Sequence, residues 1–305
     1  MPPVNGRARV LLVAAVAALS GCGAAHRART SASGQASGGP RSRAARAGRR
    51  AHTARASAHS DPPSAPVSAQ AAAVQRLLPM GLPVYCGGTR GHYVAFTFDD
   101  GPGPYTHLAI RKLRAHRERA TFFLVGKELA TEPLSLVRQE TEVGTVGDHT
   151  WTHPVLPALS PGRVREELAT TKAAVARDSG TPVTLFRPPY GARTPAIDHQ
   201  ARDLGLLEII WDVDSRDSEG ANYAGIASNV MRGLVPGSII LMHENRGQTI
   251  RALLTILPDV RRRHLRAVSV PELLALDPPT ERQLREGPRG CGPLTHAAPS
   301  LTGGG

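Results

Sequence analysis

The sequence predicts an α/β fold: a parallel sheet covered by helices and curled into a (β/α) barrel of about seven strands, preceded by a disordered linker. Three observations carry this. From residue 92 onward, short apolar runs alternate with helical stretches. The runs are near-continuous in apolar side chains, as expected of strands covered on both faces. The unusual polar residues follow the C-terminal ends of those runs, where a parallel barrel gathers its site. An open doubly wound sheet is the competing arrangement. Neither a G-x-G-x-x-G nor a P-loop sequence follows the first strand, which weakens the nucleotide-binding version.

The expected strands are 94–98, 121–125, 145–148, 184–186, 207–211, 238–242 and 267–268. The expected helices are 106–116, 133–142, 161–178, 195–204, 223–234, 249–263 and 271–276. Ser160 is the expected N-cap of the third helix, with Pro161 at its first helical position.

Ahead of these elements the composition changes. The chain has 305 residues and a formal net charge of +12, yet residues 1–60 hold ten Arg and no acid. Residues 61–305 carry 27 bases and 25 acids, a net of +2. The basic excess sits on a tail, so nucleic acid is not an expected partner. Arg7 and Arg9 followed by the apolar run 10–19 read as an export signal, too short to span a membrane. The run ends in Leu19-Ser20-Gly21-Cys22, which resembles a bacterial lipobox. Acylated Cys22 would tether the chain to the outer face of a cytoplasmic membrane; an ordinary signal peptide and a secreted protein are the alternative. The expected organisation is signal peptide 1–21, disordered linker 22–80, folded domain 81–277 and irregular tail 278–305, as a monomer. As a coil of about 55 residues, such a linker has an end-to-end distance of roughly 40 Å. Cys86 and Cys291 bracket the folded region, and in an exported protein they read as a disulfide, with two free thiols as the alternative.

Five polar clusters follow the strands. Asp99-Asp100-Gly101-Pro102 can be a plain turn. His149-Thr150-Trp151-Thr152-His153 places two imidazoles four apart, which suits one ion if the segment is a helical turn or a tight loop; two surface histidines are the alternative. With a carboxylate they make a His₂Asp set suited to Zn²⁺, and non-haem iron uses the same ligands. The segment 212–217 resembles the start of a Ca²⁺ loop, but Asp217 stands where that loop needs Gly. His243, closing an apolar strand, reads in isolation as a core histidine.

Taken in order, Thr97-Phe98-Asp99-Asp100-Gly101-Pro102, His149-Thr150-Trp151-Thr152-His153, Arg187-Pro188-Pro189-Tyr190-Gly191, Asp214-Ser215-Arg216-Asp217 and Leu241-Met242-His243 resemble the polysaccharide deacetylase domain (NodB homology, carbohydrate esterase family 4) over residues 90–275. The resemblance implies a distorted (β/α) barrel of NodB type that removes acetyl groups from N-acetylated sugars. It implies a divalent metal on Asp100, His149 and His153, Zn²⁺ first, with Co²⁺ or Ni²⁺ as alternatives. Asp99 would be the general base, positioned by Arg187. The N–H of Tyr190 would face the oxyanion, and His243, tuned by Asp217, would be the general acid. Leu241, Pro189 and Trp151 would contact the substrate. Ser218 stands where members often carry an aromatic, which removes a groove wall. Asp100 stands where relatives acting on muramic residues have Asn, which favours N-acetylglucosamine. A cell-wall glycan is the expected substrate, with acetylated xylan as the second enzyme reading and an inactive wall-binding protein as the third.

Overall fold

The computed structural model describes residues 64–292. In chain order the elements are α1 (Val67–Leu77), β1 (Tyr93–Gly101), α2 (Thr106–His116), β2 (Ala120–Leu124), α3 (Leu134–Val143), β3 (Gly144–Asp148), α4 (Pro161–Ser179) and β4 (Leu185–Phe186). They continue with α5 (Pro195–Asp203), β5 (Leu207–Glu208), β6 (Val213–Asp214), α6 (Tyr223–Gly233), β7 (Ile239–His243), α7 (Gly247–Arg262), β8 (Arg266–Val268), α8 (Val270–Leu276) and α9 (Glu281–Glu286). Every strand pair is parallel, in the order β5-β4-β3-β2-β1-β7-β6, and β8 pairs with the start of β1.

That order dictates curvature. The strands β5 and β6 lie at opposite edges of the sheet, yet only residues 209–212 separate them. Five extended steps span at most about 18 Å, so the sheet must curl until its edges approach. The segment around Val84 and Cys86 fills the seam, bridging to Ile209 on one side and to Ser238 on the other. The result is the distorted, incompletely closed barrel expected from the sequence.

Strand parity then divides the core. Val94, Phe96 and Phe98 of β1, Phe122 and Leu124 of β2, and Ile240 and Met242 of β7 face the surrounding helices. Ala95, Phe123, Leu185, Ile239 and Leu241 face the interior, which α1 and α8 help to cover. Because side chains alternate with period two, Asp99, Arg187 and His243 also fall on the inner face, at the C-terminal rim.

Several boundaries differ from expectation. The linker was expected to reach residue 80, but 67–77 form α1, which buries Ala73, Val74 and Leu77. Its Ala-rich sequence is poor in large apolar groups, yet it has high helix propensity, and three apolar residues on one face suffice to dock it. The tail expected to be irregular contains α9, opened by a capping box between Thr280 and Gln283. The single strand expected at 207–211 is interrupted, and β6 forms separately. The reason is local: the carbonyls of Ile209 and Ile210 accept hydrogen bonds from the Arg187 guanidinium. Ser160 does precede α4, but its side chain makes no capping hydrogen bond. Cys22, the export signal and most of the expected linker lie outside the described residues.

Cys86 and Cys291 form a disulfide across a sequence separation of 205. Closing so long a loop restricts the unfolded chain. Replacing both by Ser should lower unfolding stability by about 2–5 kcal/mol in a denaturant titration. Because Cys86 pairs with the start of β7 and the rim lies at its end, the side-chain arrangement at the rim should be unchanged in the mutant's crystal structure.

Candidate active site

The rim is organised around Arg187, which is fully buried just beyond β4. Its Nη1 donates to Asp99 Oδ1 at 2.8 Å and to Thr97 Oγ1 at 2.7 Å. Its Nε and Nη2 donate to the carbonyls of Ile209 (3.1 Å) and Ile210 (3.0 Å). The guanidinium lies 4.3 Å from the centroid of Phe123 and 5.6 Å from that of Trp211. A buried charge needs a partner and hydrogen bonds on its remaining donors, and Arg187 has both. Burial raises the pKa of the Asp99 carboxyl, and the Arg187 charge opposes that rise. Burial likewise lowers the pKa of Arg187, with Asp99 acting against it.

Asp100 points differently from its neighbour. It adopts a left-handed backbone, φ 66°, which breaks strand parity and turns its carboxylate toward the histidines. Its Oδ1 lies 3.2 Å from His153 Nε2 and 3.7 Å from His149 Nε2. Asn245 Nδ2 donates to its other oxygen at 3.3 Å. The next residue, Gly101, has no room for a side chain, since a Cβ there would sit 1.6 Å from Glu244 Oε1.

His149 and His153 belong to a tight loop and not to a helical turn: Thr150 and His153 have φ of 69° and 61°. Buried acids hold that loop. Glu167 of α4 accepts from the N–H groups of Trp151 (2.8 Å) and Thr152 (2.7 Å) and from the Thr152 hydroxyl (2.8 Å). Asp148 accepts from the Thr150 N–H at 2.8 Å. Nδ1 of His149 lies 2.8 Å from the Arg187 carbonyl, so as a donor it leaves the Nε2 lone pair facing the two aspartates. Burial drives the His149 pKa down to about 3, and the ring is neutral at pH 7. Nδ1 of His153 lies 3.2 Å from the Tyr190 hydroxyl.

One ligand atom each from Asp100, His149 and His153 lies within 4.8 Å of the others. Two imidazoles and a carboxylate, one ring oriented by a carbonyl behind it, are the donor set that a divalent transition ion takes. The residues fit such an ion.

Across the rim, His243 ends β7. Its Nδ1 lies 2.7 Å from Asp217 Oδ1, and its N–H donates to Asp217 Oδ2 at 2.7 Å. The Thr249 hydroxyl donates to the same oxygen at 2.6 Å. Burial pulls the His243 pKa down, but the hydrogen bond and charge of Asp217 outweigh it and raise the value to about 9. For Asp217 burial acts upward, and the same contacts with His243 carry its pKa below the usual range.

The other expected residues are placed unevenly. Leu241 lies on the inner face two residues before His243 and is 5% exposed. Pro189 is buried, and Tyr190 follows it with φ 61° and 56% exposure. Trp151 departs from expectation. A Cβ on Gly126 would lie 2.2 Å from its ring, and it lines a depression with Ala169, Thr170, Ala173 and Ala174 of α4. The structure does not bring it to the cleft of about 280 Å³ formed by Asp100, Pro102, Lys127, His153 and Asn245. Thr97, Asn245, Thr249 and Glu167 were not singled out from sequence. Only Thr97, a polar residue inside an apolar strand, carried a visible signal.

Comparison with known proteins agrees with the geometry. Residues 87–209 match the polysaccharide deacetylase family. The chain is 34% identical over 204 residues to the chitooligosaccharide deacetylase of Bradyrhizobium sp. (strain ANU 289), covering 61% of this chain and 91% of that one. It is 35% identical over 182 residues to the peptidoglycan N-acetylglucosamine deacetylase PgdA of Listeria monocytogenes, covering 59% of this chain. It spans only 38% of that longer relative. The solved structure of the peptidoglycan N-acetylglucosamine deacetylase Bc1960, in complex with 4-naphthalen-1-yl-N-oxidanyl-benzamide, superimposes with a TM-score of 0.61 at 29% identity. That match covers 65% of this chain and 95% of the other.

The His243–Asp217 pair gives a direct test. In an NMR titration the His243 ring should titrate near pH 9. Asp217→Asn should bring it down toward the ordinary imidazole value of 6.5, since burial is then opposed only by the charges of Asp99 and Asp100. Because the folded value is raised, the stability that protonation of the His243 ring contributes is full below pH 6.5 and is lost as pH rises through about 9.

Proposed function

Because the chain belongs to the polysaccharide deacetylase family, we propose that it is a metal-dependent hydrolase removing N-acetyl groups from N-acetylglucosamine residues of a cell-wall glycan. The observation that carries this reading is the convergence of three units on one rim: the Asp100–His149–His153 set, the Asp99–Arg187 ion pair and the His243–Asp217 pair.

A divalent ion on Asp100, His149 and His153, for which Zn²⁺ is the first choice, would supply Lewis-acid polarisation of the acetyl carbonyl and a more acidic water. The protein's own groups do the rest. Asp99 is the base: its Oδ1 is held by Arg187 at 2.8 Å, and its Oδ2, 3.7 Å from His149 Nε2, faces the ligand set. The Arg187 charge favours the ionised form of that carboxylate and works against the effect of burial. His243 is the acid. With a pKa near 9 it is imidazolium at neutral pH and can protonate the departing amine, a poor leaving group. The N–H of Tyr190, on its left-handed backbone, serves the developing oxyanion. Leu241 and Pro189 supply the apolar surface for the acetyl methyl.

Asp100 in place of Asn and the wall-directed relatives support the choice of N-acetylglucosamine. We further propose that the mature chain is held at the outer face of the cytoplasmic membrane by acylated Cys22, with residues 23–63 as a tether; a chain exported without that lipid is the alternative.

Acetate release should be measured from peptidoglycan, N-acetylglucosamine oligomers and acetylated xylan, with metal analysis of the same preparation. Release from the N-acetylglucosamine glycans is expected, and exhaustive chelation should abolish it. Release from xylan alone would overturn the substrate, and activity unchanged by chelation would overturn the mechanism.

A further inference from the structure

The near-neutral charge of the folded region conceals a strong polarity. Residues 111–119 contain five bases and one acid, and residues 259–266 contain four bases and one acid. The rest of residues 61–305 carries 18 bases against 23 acids. The fold brings the two basic segments together. They are the C-terminal turns of α2 and α7 with the residues leading into β2 and β8. Arg119 N–H donates to the Ala267 carbonyl at 3.1 Å, and Arg266 Nη2 to the Arg117 carbonyl at 3.2 Å. Between the segments Glu118 is buried, accepting from Arg261 Nε at 2.9 Å with Arg266 Nε 3.9 Å away. Its charge is therefore turned inward, while Arg111, Arg262 and Arg263 are exposed.

This cluster lies at the N-terminal ends of the strands, the pole opposite the catalytic rim. A second, independent observation is where the chain enters. Ser64 shares a small cleft of about 40 Å³ with Tyr93, Arg119, Arg266 and Glu272 at that same pole. The preceding residues 23–60 add eight Arg and no acid. The chain thus enters the body beside this basic cluster.

We propose that this pole is a docking surface for an anionic phospholipid bilayer, seating the domain with its catalytic rim facing away from the membrane and toward the wall. The choice of a bilayer rests on the membrane-tether reading, because a chain anchored at residue 22 brings this pole to the lipid first. Each base near such a surface contributes about a factor of five in binding, and the attraction weakens as salt screens it.

The test uses the full-length Cys22→Ser chain, which carries no lipid, with vesicles of roughly one third phosphatidylglycerol in phosphatidylcholine. Cosedimentation is expected with these vesicles and not with pure phosphatidylcholine. Charge reversal at Arg111→Glu, Arg262→Glu and Arg263→Glu, a change of six unit charges, should weaken partitioning by roughly ten-thousandfold, with melting temperature unchanged. The neutral Arg111→Gln, Arg262→Gln and Arg263→Gln set should fall between, and it reports in place of the reversed set if that one misfolds. Partitioning unchanged in both sets while Arg-to-Ser changes at 41, 43, 46, 49 and 50 abolish it would overturn the proposal, leaving the tether as the only binder. Retention on immobilised polyphosphate without vesicle binding would overturn it in favour of a wall polymer. Neither readout needs turnover or acylation, so failure here is separate from failure of the deacetylase reading or of the anchor, which is read by the acyl mass on Cys22.

Discussion

The site depends on one buried cation. Arg187 is the largest fully buried side chain in the described structure, and it touches both Asp99 and His149. Its guanidinium fixes Asp99, its backbone carbonyl orients His149, and its remaining donors take the carbonyls of Ile209 and Ile210. Those last two bonds fall where the fifth run of the sheet is interrupted, beside Trp211. Removing one member of a buried pair strands the other charge, at a cost of about 3–5 kcal/mol. Arg187 therefore acts as a structural and an electrostatic centre at once, and the barrel's irregularity there is the consequence of solvating it.

Around that centre, two adjacent carboxylates are turned to different partners by backbone geometry. Asp99 keeps strand parity and points inward to the guanidinium. Asp100 leaves the strand through a left-handed conformation and points along the rim to His149 and His153. Gly101 completes the turn because Glu244 fills the space that a side chain would need. On the far side, His243 is held as a cation by an acid that is itself held by Thr249. In the proposed mechanism Asp99 is the base and the His243 imidazolium the acid on one rim, the pairing amide hydrolysis requires.

Much of this was legible in the sequence. The position of polar residues after apolar runs placed Asp99, His149, Arg187 and His243 on one rim, because parallel strands share one C-terminal end. Less visible were groups whose role depends on long-range pairing. Glu167 reads as an ordinary helix residue until α4 packs behind the histidine loop, and Thr249 as an ordinary first-turn residue until Asp217 folds over it. Trp151 was misplaced because the left-handed turn at Thr150 sends its ring toward α4. The helix at 67–77 was missed because Ala-rich sequence reads alike as linker and as helix, and only its partner α8 decides. The polarity of surface charge was hidden for the same reason: net composition averages over faces that the fold keeps apart.

The central claim is that Asp99 abstracts while Asp100 ligates. Metal stoichiometry and acetate release measured together on Asp99→Asn and Asp100→Asn address it most directly. The account predicts that Asp99→Asn retains the ion and loses turnover by about a hundredfold or more, while Asp100→Asn loses affinity for the ion itself. An Asp99→Asn protein that turns over normally, or that sheds its metal as readily as Asp100→Asn, would contradict it.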